Sequence, residues 1–180
     1  MDAEHTLSSR RVYEGPVLGL RIDEVELPTG RSARREVVEH GDAVCVVAVD
    51  GEGKVVLVRQ YRHATGQVLL EIPAGNIEPG EAPQEAAQRE LREEAGRLAQ
   101  EWLSIGGFFA APGYSTEFLY LFLARDLQET NTAPDEDEAI QVELAPLADV
   151  PSLIRLGEIR DAKSVAGILQ ALYMGAVPAG

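Results

Sequence analysis

The sequence predicts an α+β fold in layers, with a mixed sheet and helices inserted after hairpins, and three observations carry that expectation. The first part of the chain is strand-like with hairpin-length breaks, one strong helix interrupts the strands in mid-chain, and an amphipathic helix closes it. Regular alternation of strand and helix, which would favour a doubly wound sheet, does not occur in this order. A chain of 180 residues suits one main core with a small appended subdomain.

Taken in order, residues 11–13, 17–27 and 35–38 read as strands broken by Gly15-Pro16 and Pro28-Thr29-Gly30. They predict an N-terminal antiparallel ribbon, residues 1–42, ahead of a larger domain, residues 43–180. Strands 43–49 and 54–61 flank Asp50-Gly51-Glu52-Gly53, a connection of hairpin length. Residues 81–95 are rich in Ala, Glu, Gln, Arg and Leu, with Pro83 early and Gly96 at the exit, and predict a helix. Strands 102–110 and 117–124 surround the turn Ala111-Pro112-Gly113-Tyr114, and an acidic loop, 135–138, precedes a strand at 139–144. Val165, Ile168, Leu169 and Leu172 recur at helical spacing behind Asp161, a cap residue.

Charge limits the partners. Lys and Arg number 16 against 30 Asp and Glu, and the formal charge of −14 argues against a nucleic-acid surface. A small anionic substrate would need a divalent cation and a few placed arginines to reverse the local field. The lone cysteine, Cys45, lies in an apolar run and reads as a buried structural thiol in a reducing compartment. His5, His40 and His63 lack metal-ligand spacing, so zinc has no support. The N-terminus has no apolar signal-peptide core, and no apolar run approaches the roughly 20 residues of a membrane helix. A cytoplasmic protein with no membrane partner is expected.

The informative stretch is 75–96, GNIEPGEAPQEAAQRELREEAG. Glu90 and Glu94 stand four apart on one helix face, with Glu93 beside Glu90 at spacing three. Like charges at that spacing cost an isolated helix roughly 0.2–0.5 kcal/mol per pair. Near a helix C-terminus they also oppose the macrodipole, so local stability did not select the pattern. Mg²⁺, a hard cation that takes oxygen ligands, would offset the repulsion. The bland alternative is a solvated acidic face paired with Arg89 and Arg92.

That alternative does poorly against the full pattern of Gly75, Glu81, Arg89, Glu90, Leu91, Glu93, Glu94 and Gly96. Leu91 fills a position open to any apolar residue, and the other seven, fixed at about one chance in fifteen each over roughly 160 starting points, give a random expectation on the order of one in a million. The spacing resembles the signature of the Nudix family. Arg97 departs from it, standing where the signature has an aliphatic residue, and Leu98 follows. Around the box, Arg34-Arg35-Glu36-Val37-Val38-Glu39-His40, Val58-Arg59-Gln60-Tyr61-Arg62, Glu71-Ile72-Pro73-Ala74-Gly75 and Ala111-Pro112-Gly113 resemble the ADP-ribose pyrophosphatase branch of that family. In that branch a proline follows the last box glycine by about sixteen residues, as Pro112 does here.

The resemblance implies a Nudix-type α/β/α sandwich with a mixed sheet and an N-terminal antiparallel strand subdomain that packs on a twofold partner. It implies a homodimer with substrate between two subunits. It places metal ligands at the Ala74 carbonyl, Glu90 and Glu94, with Mg²⁺ as the cation and Mn²⁺ as a substitute. Catalytic carboxylates carry over to Glu136, Glu93 and Glu138, one of them as general base. Substrate contacts carry over to Arg34, Glu36, Arg62, Asn76, Gly113 and Glu117. Each of these has a plainer reading: a strand-surface charge, a solvated loop residue or, for Gly113, a turn former. Tyr13, the only aromatic before Tyr61, is the candidate to stack on a base. The implied reaction is metal-assisted hydrolysis of ADP-ribose to AMP and ribose 5-phosphate. The alternatives are hydrolysis of another nucleoside diphosphate sugar such as GDP-mannose, hydrolysis of a dinucleotide polyphosphate, or a non-catalytic ADP-ribose sensor.

Overall fold

The computed structural model describes residues 3–131 and 139–175. Its chain forms two compact units, one gathering the residues up to Asp42 with Phe109–Phe118, the other Ala43–Phe108 and the residues from Leu119 onward. The segment Phe109–Phe118, which the sequence reading assigned to the larger domain, therefore packs within the smaller unit.

In the smaller unit β1 (His5–Glu14), β2 (Leu18–Glu26) and β3 (Ser32–His40) form an antiparallel sheet in that order. β1 runs well beyond the expected 11–13, because His5, Thr6 and Ser8 to Arg10 also pair with β2 although their side chains are polar. A strand exposed along its whole length, with Leu7 its one apolar residue before Val12, gives no alternation to read. The loop Phe109–Phe118 is strapped to β3 by backbone and side-chain bonds. The Val38 N–H donates to the Tyr114 carbonyl at 2.7 Å, and Thr116 Oγ1 both accepts from the His40 N–H and donates to its carbonyl, each at 3.0 Å.

The larger unit is built around β4 (Ala43–Ala48), every residue of which is buried. It pairs antiparallel with β7 (Ala74–Asn76) and parallel with β9 (Phe118–Glu129), and β8 (Arg97–Phe109) completes a mixed sheet of order β7-β4-β9-β8. A second sheet runs β10-β5-β6, from β5 (Lys54–Arg62), β6 (Gln67–Glu71) and β10 (Ile140–Pro146). The period of two along β4 separates two cores. Cys45 and Val47 face Leu121, Leu123, Ile168 and Ala171, while Val44, Val46 and Ala48 face Phe122, Ala86, Ala87, Leu91 and Ala95. Helices thus cover both faces, α1 (Pro83–Ala95) on one and α3 (Ala162–Tyr173) on the other, and the layered α/β/α arrangement follows.

Asp161 caps α3 as its spacing predicted, its Oδ1 accepting from the Ser164 N–H at 3.0 Å. Gly167 lets that helix approach closely, since a Cβ there would come within 3.3 Å of Leu121, Ile72 and Val47 side chains. A short helix α2 (Val150–Leu156) was not anticipated, because Pro151 obscured a seven-residue helix that tolerates proline in its first turn. No helix of the described residues is long and apolar enough to cross a membrane.

Candidate active site

α1 begins at Pro83, two residues later than expected, so Glu81 belongs to the loop before the helix. The Glu85 carboxylate accepts from the Ala82 N–H at 3.0 Å, one half of a capping box whose other half alanine cannot supply. At the far end Gly96 takes a left-handed conformation (φ 59°) and its N–H returns to the Arg92 carbonyl, ending the helix where the motif ends.

Arg89 organises the box. Its guanidinium grips Glu81 with two bonds, Nε to Oε1 at 3.0 Å and Nη2 to Oε2 at 3.1 Å. It also donates to Glu90 Oε1 at 2.7 Å, to Glu93 at 3.3 Å and to the Asn76 carbonyl at 2.9 Å. One side chain therefore fixes the loop before α1, strand β7 and two box carboxylates. Hydrogen bonds from Arg89 hold the Glu81 carboxyl below the usual carboxylate range despite its partial burial. Those carboxylates in turn push the Arg89 guanidinium further up.

A depressed carboxyl contributes stability that is complete above its unfolded value, about 4.3, and is lost as pH falls through the lower folded value. Arg89→Met should therefore lower the urea midpoint at pH 7, and the gap to the parent should close as pH falls below about 4. A gap that stays constant between pH 7 and pH 3 would show that the Arg89–Glu81 latch contributes nothing.

The other carboxylates take distinct seats. Glu94 is buried and accepts from the Ala74 N–H at 3.0 Å through Oε2. Glu90 lies against the backbone of Gly75 so closely that a Cβ there would overlap its carboxylate. Glu93, the most exposed of the three, is shared between Arg89 and Arg92. Helical spacing predicted a single acidic strip. Arg89 Nη1 bridges two of the three carboxylates, Glu90 and Glu93, and no group of three His, Cys, Asp or Glu among the described residues forms a cation cage by itself. What the box offers is a pair of carboxylates, Glu90 beside a glycine whose missing Cβ leaves room for it and Glu94 on the Ala74 N–H. That donor chemistry fits a hard divalent cation that completes its shell with substrate phosphates and water.

The remaining expected residues divide between the two units. Arg34 and Glu36 lie on β3, exposed, and Arg34 Nε donates to Glu24 at 2.9 Å. Gly113 and Glu117 lie on the strapped loop of the same unit, Glu117 at 3.8 Å from His40 Nδ1. Gly113 has open space at its Cβ position and no left-handed φ, so the backbone does not require glycine there. Tyr13 lies over Gly15 of its own ribbon with its ring half-exposed. In the larger unit Asn76 ends β7 and Arg62 ends β5, where Arg62 grips Glu71. Glu136 and Glu138 lie outside the described residues.

Sequence reasoning missed Glu71 as a charged core residue and did not anticipate that Arg89 would bind the loop. Glu71 stands between Leu70 and Ile72 in a stretch read only for its resemblance, and a carboxylate flanked by apolar residues was the available signal. Cys45 is a buried structural thiol, and burial pushes it up to about 12.

Residues 31–167 match a family profile described as NUDIX domain, and residues 4–38 one described as nucleoside diphosphate sugar hydrolase N-terminal domain. The chain is 39% identical over 167 residues to a protein of Bacillus subtilis (strain 168) named ADP-ribose pyrophosphatase, covering 92% of this chain and 90% of that one. It is 36% identical over 167 residues, with the same coverage, to a Bacillus methanolicus protein named methanol dehydrogenase activator. A solved structure described as the crystal structure of ADP compounds hydrolase superposes with a TM-score of 0.88 at 24% identity, covering 97% of this chain and 95% of that one. At that identity the likeness is one of fold.

Proposed function

Because the chain belongs to the Nudix family, we propose that it hydrolyses the pyrophosphate bond of ADP-ribose to AMP and ribose 5-phosphate with Mg²⁺, for which Mn²⁺ substitutes. The observation that carries the reading is the seating of two box carboxylates, Glu90 against Gly75 and Glu94 on the Ala74 N–H, with Arg89 locking the loop and strand around them. The relative named ADP-ribose pyrophosphatase supports the substrate.

In this reading the Ala74 carbonyl, Glu90 and Glu94 hold the cation, which when bound neutralises the diphosphate and lowers the pKa of the attacking water. Arg62 supplies a charged guanidinium to a phosphate. Arg34, Glu36, Asn76, Gly113 and Glu117 contribute the remaining contacts. A carboxylate not committed to the cation takes the proton, Glu136 first, with Glu93 and Glu138 as competitors. Glu136→Gln should lower kcat strongly with KM and Mg²⁺ dependence within a few-fold, whereas Glu93→Gln should disturb Mg²⁺ dependence and rate together. Parental turnover in both Glu136→Gln and Glu138→Gln would make Glu93 the base.

The protein acts as a homodimer in this account. Leu7, Val12 and Val17 stand exposed on and just after β1, apolar surface suited to burial against a second copy. Dilution should then reduce activity together with dimer content, and sedimentation showing a fully active monomer would reject the dimer. The lone buried thiol and a nucleotide substrate suit a cytoplasmic location.

A second reading, hydrolysis of another nucleoside diphosphate sugar such as GDP-mannose, is favoured by the match of residues 4–38 to the nucleoside diphosphate sugar hydrolase N-terminal domain. Comparing kcat/KM for ADP-ribose and GDP-mannose separates the two. A preference for ADP-ribose of about tenfold or more is expected, and the reverse preference would replace the first reading with the second.

A further inference from the structure

The larger unit holds a second charged cluster, drawn from β5, β6 and α3. Glu71, the last residue of β6, is only 1% exposed. Arg62, the last residue of β5, donates to both its oxygens, Nε to Oε1 at 3.0 Å and Nη2 to Oε2 at 2.8 Å. Lys163, in the first turn of α3, donates to Glu71 Oε2 and, at 2.9 Å, to Asp161 Oδ1. Burial pushes the Glu71 carboxyl up, but Arg62 and Lys163 outweigh it and hold the group below the usual carboxylate range.

Stability is a weak explanation for this cluster. Desolvation offsets most of what a buried ion pair gains, and an apolar residue at position 71 would simply extend the core that Leu70 and Ile72 already join. Lys163 puts a cation in the first turn of a helix, where the macrodipole disfavours it. The cluster instead sets two cations, Arg62 and Lys163, against the two carboxylates of Glu71 and Asp161, in a protein of net charge −14. It also holds the Arg62 fork by two parallel bonds, so less rotamer freedom remains to be lost when that guanidinium meets an anion.

We infer that Glu71 is a positioning residue, which holds Arg62, together with Lys163, in the pose that receives a substrate phosphate and does not itself touch substrate. The inference rests on the reading of Arg62 as a substrate contact.

The test is steady-state kinetics on ADP-ribose with the full-length protein, for Arg62→Ala, Glu71→Gln and the double variant. Arg62→Ala should raise KM about tenfold or more. Glu71→Gln should raise KM by about tenfold with kcat within about threefold, and should add nothing to KM in the Arg62→Ala background. A purely structural role would lower Tm and the active fraction, hence kcat, equally in both backgrounds. An unchanged KM in Glu71→Gln beside a raised KM in Arg62→Ala, or two effects that multiply independently, overturns the inference alone. A parental KM in Arg62→Ala overturns the reading of Arg62 and the inference with it. Should Glu71→Gln fail to fold, Arg62→Lys keeps the charge but cannot make two parallel bonds, and should raise KM by a similar factor. A parental KM in Arg62→Lys overturns the inference.

Discussion

Glu90→Gln and Glu94→Gln are each expected to lower turnover about a hundredfold or more while the protein stays folded. Each substitution keeps the side-chain volume and removes a formal negative charge from the proposed cation site. In Glu94→Gln the introduced amide oxygen can still accept from the Ala74 N–H, so the seat of that side chain survives and only the charge is lost. At position 90 the change also weakens the bond from Arg89 Nη1, which now meets a neutral oxygen. Turnover with ADP-ribose at saturating Mg²⁺, read beside far-UV circular dichroism, checks the prediction. Near-parental rates in both variants would remove Glu90 and Glu94 from the chemistry.

Gly75→Ala is expected to be nearly as damaging, although it adds a single methyl group and changes no charge. The new Cβ would overlap the Glu90 carboxylate, so either that side chain leaves its seat or β7 shifts. Misplacement of a reacting group by about 1 Å can cost a hundredfold in rate, while overpacking of this kind costs about 1–3 kcal/mol in stability. The expected outcome is a fall in turnover of about a hundredfold with only a modest drop in Tm. Gly113→Ala is the control for stability, since that position has open space and no left-handed backbone, and it should fold as the parent does. Parental turnover in Gly75→Ala would show that the Glu90 seat has no bearing on catalysis.

The box was legible in the sequence because its chemistry is local. Four-residue spacing on one helix brings Glu90 and Glu94 to one face whatever the rest of the chain does, and Gly96 ends that helix by a backbone conformation only glycine adopts readily. β4 was legible because a strand buried on both faces reads as an unbroken apolar run. Other features depend on partners far along the chain. The strap between Thr116 and His40 joins residues 76 apart, and no local pattern announces it. β7 is three residues long and takes its identity from pairing with β4. Glu71 looked like part of a strand, and its meaning emerged only when Lys163, 92 residues later, was found on the same carboxylate. Spacing put Glu90, Glu93 and Glu94 on one strip but did not show their partners, Arg89 across Glu90 and Glu93, Arg92 on Glu93 and the Ala74 N–H on Glu94.

The most direct measurement of the central claim is the product analysis of ADP-ribose incubated with the protein, with and without Mg²⁺. The account predicts AMP and ribose 5-phosphate in equal amounts, formed with Mg²⁺ or Mn²⁺ and abolished by a chelator. Intact ADP-ribose after prolonged incubation with Mg²⁺, or cleavage at the glycosidic bond to leave the diphosphate whole, would contradict it.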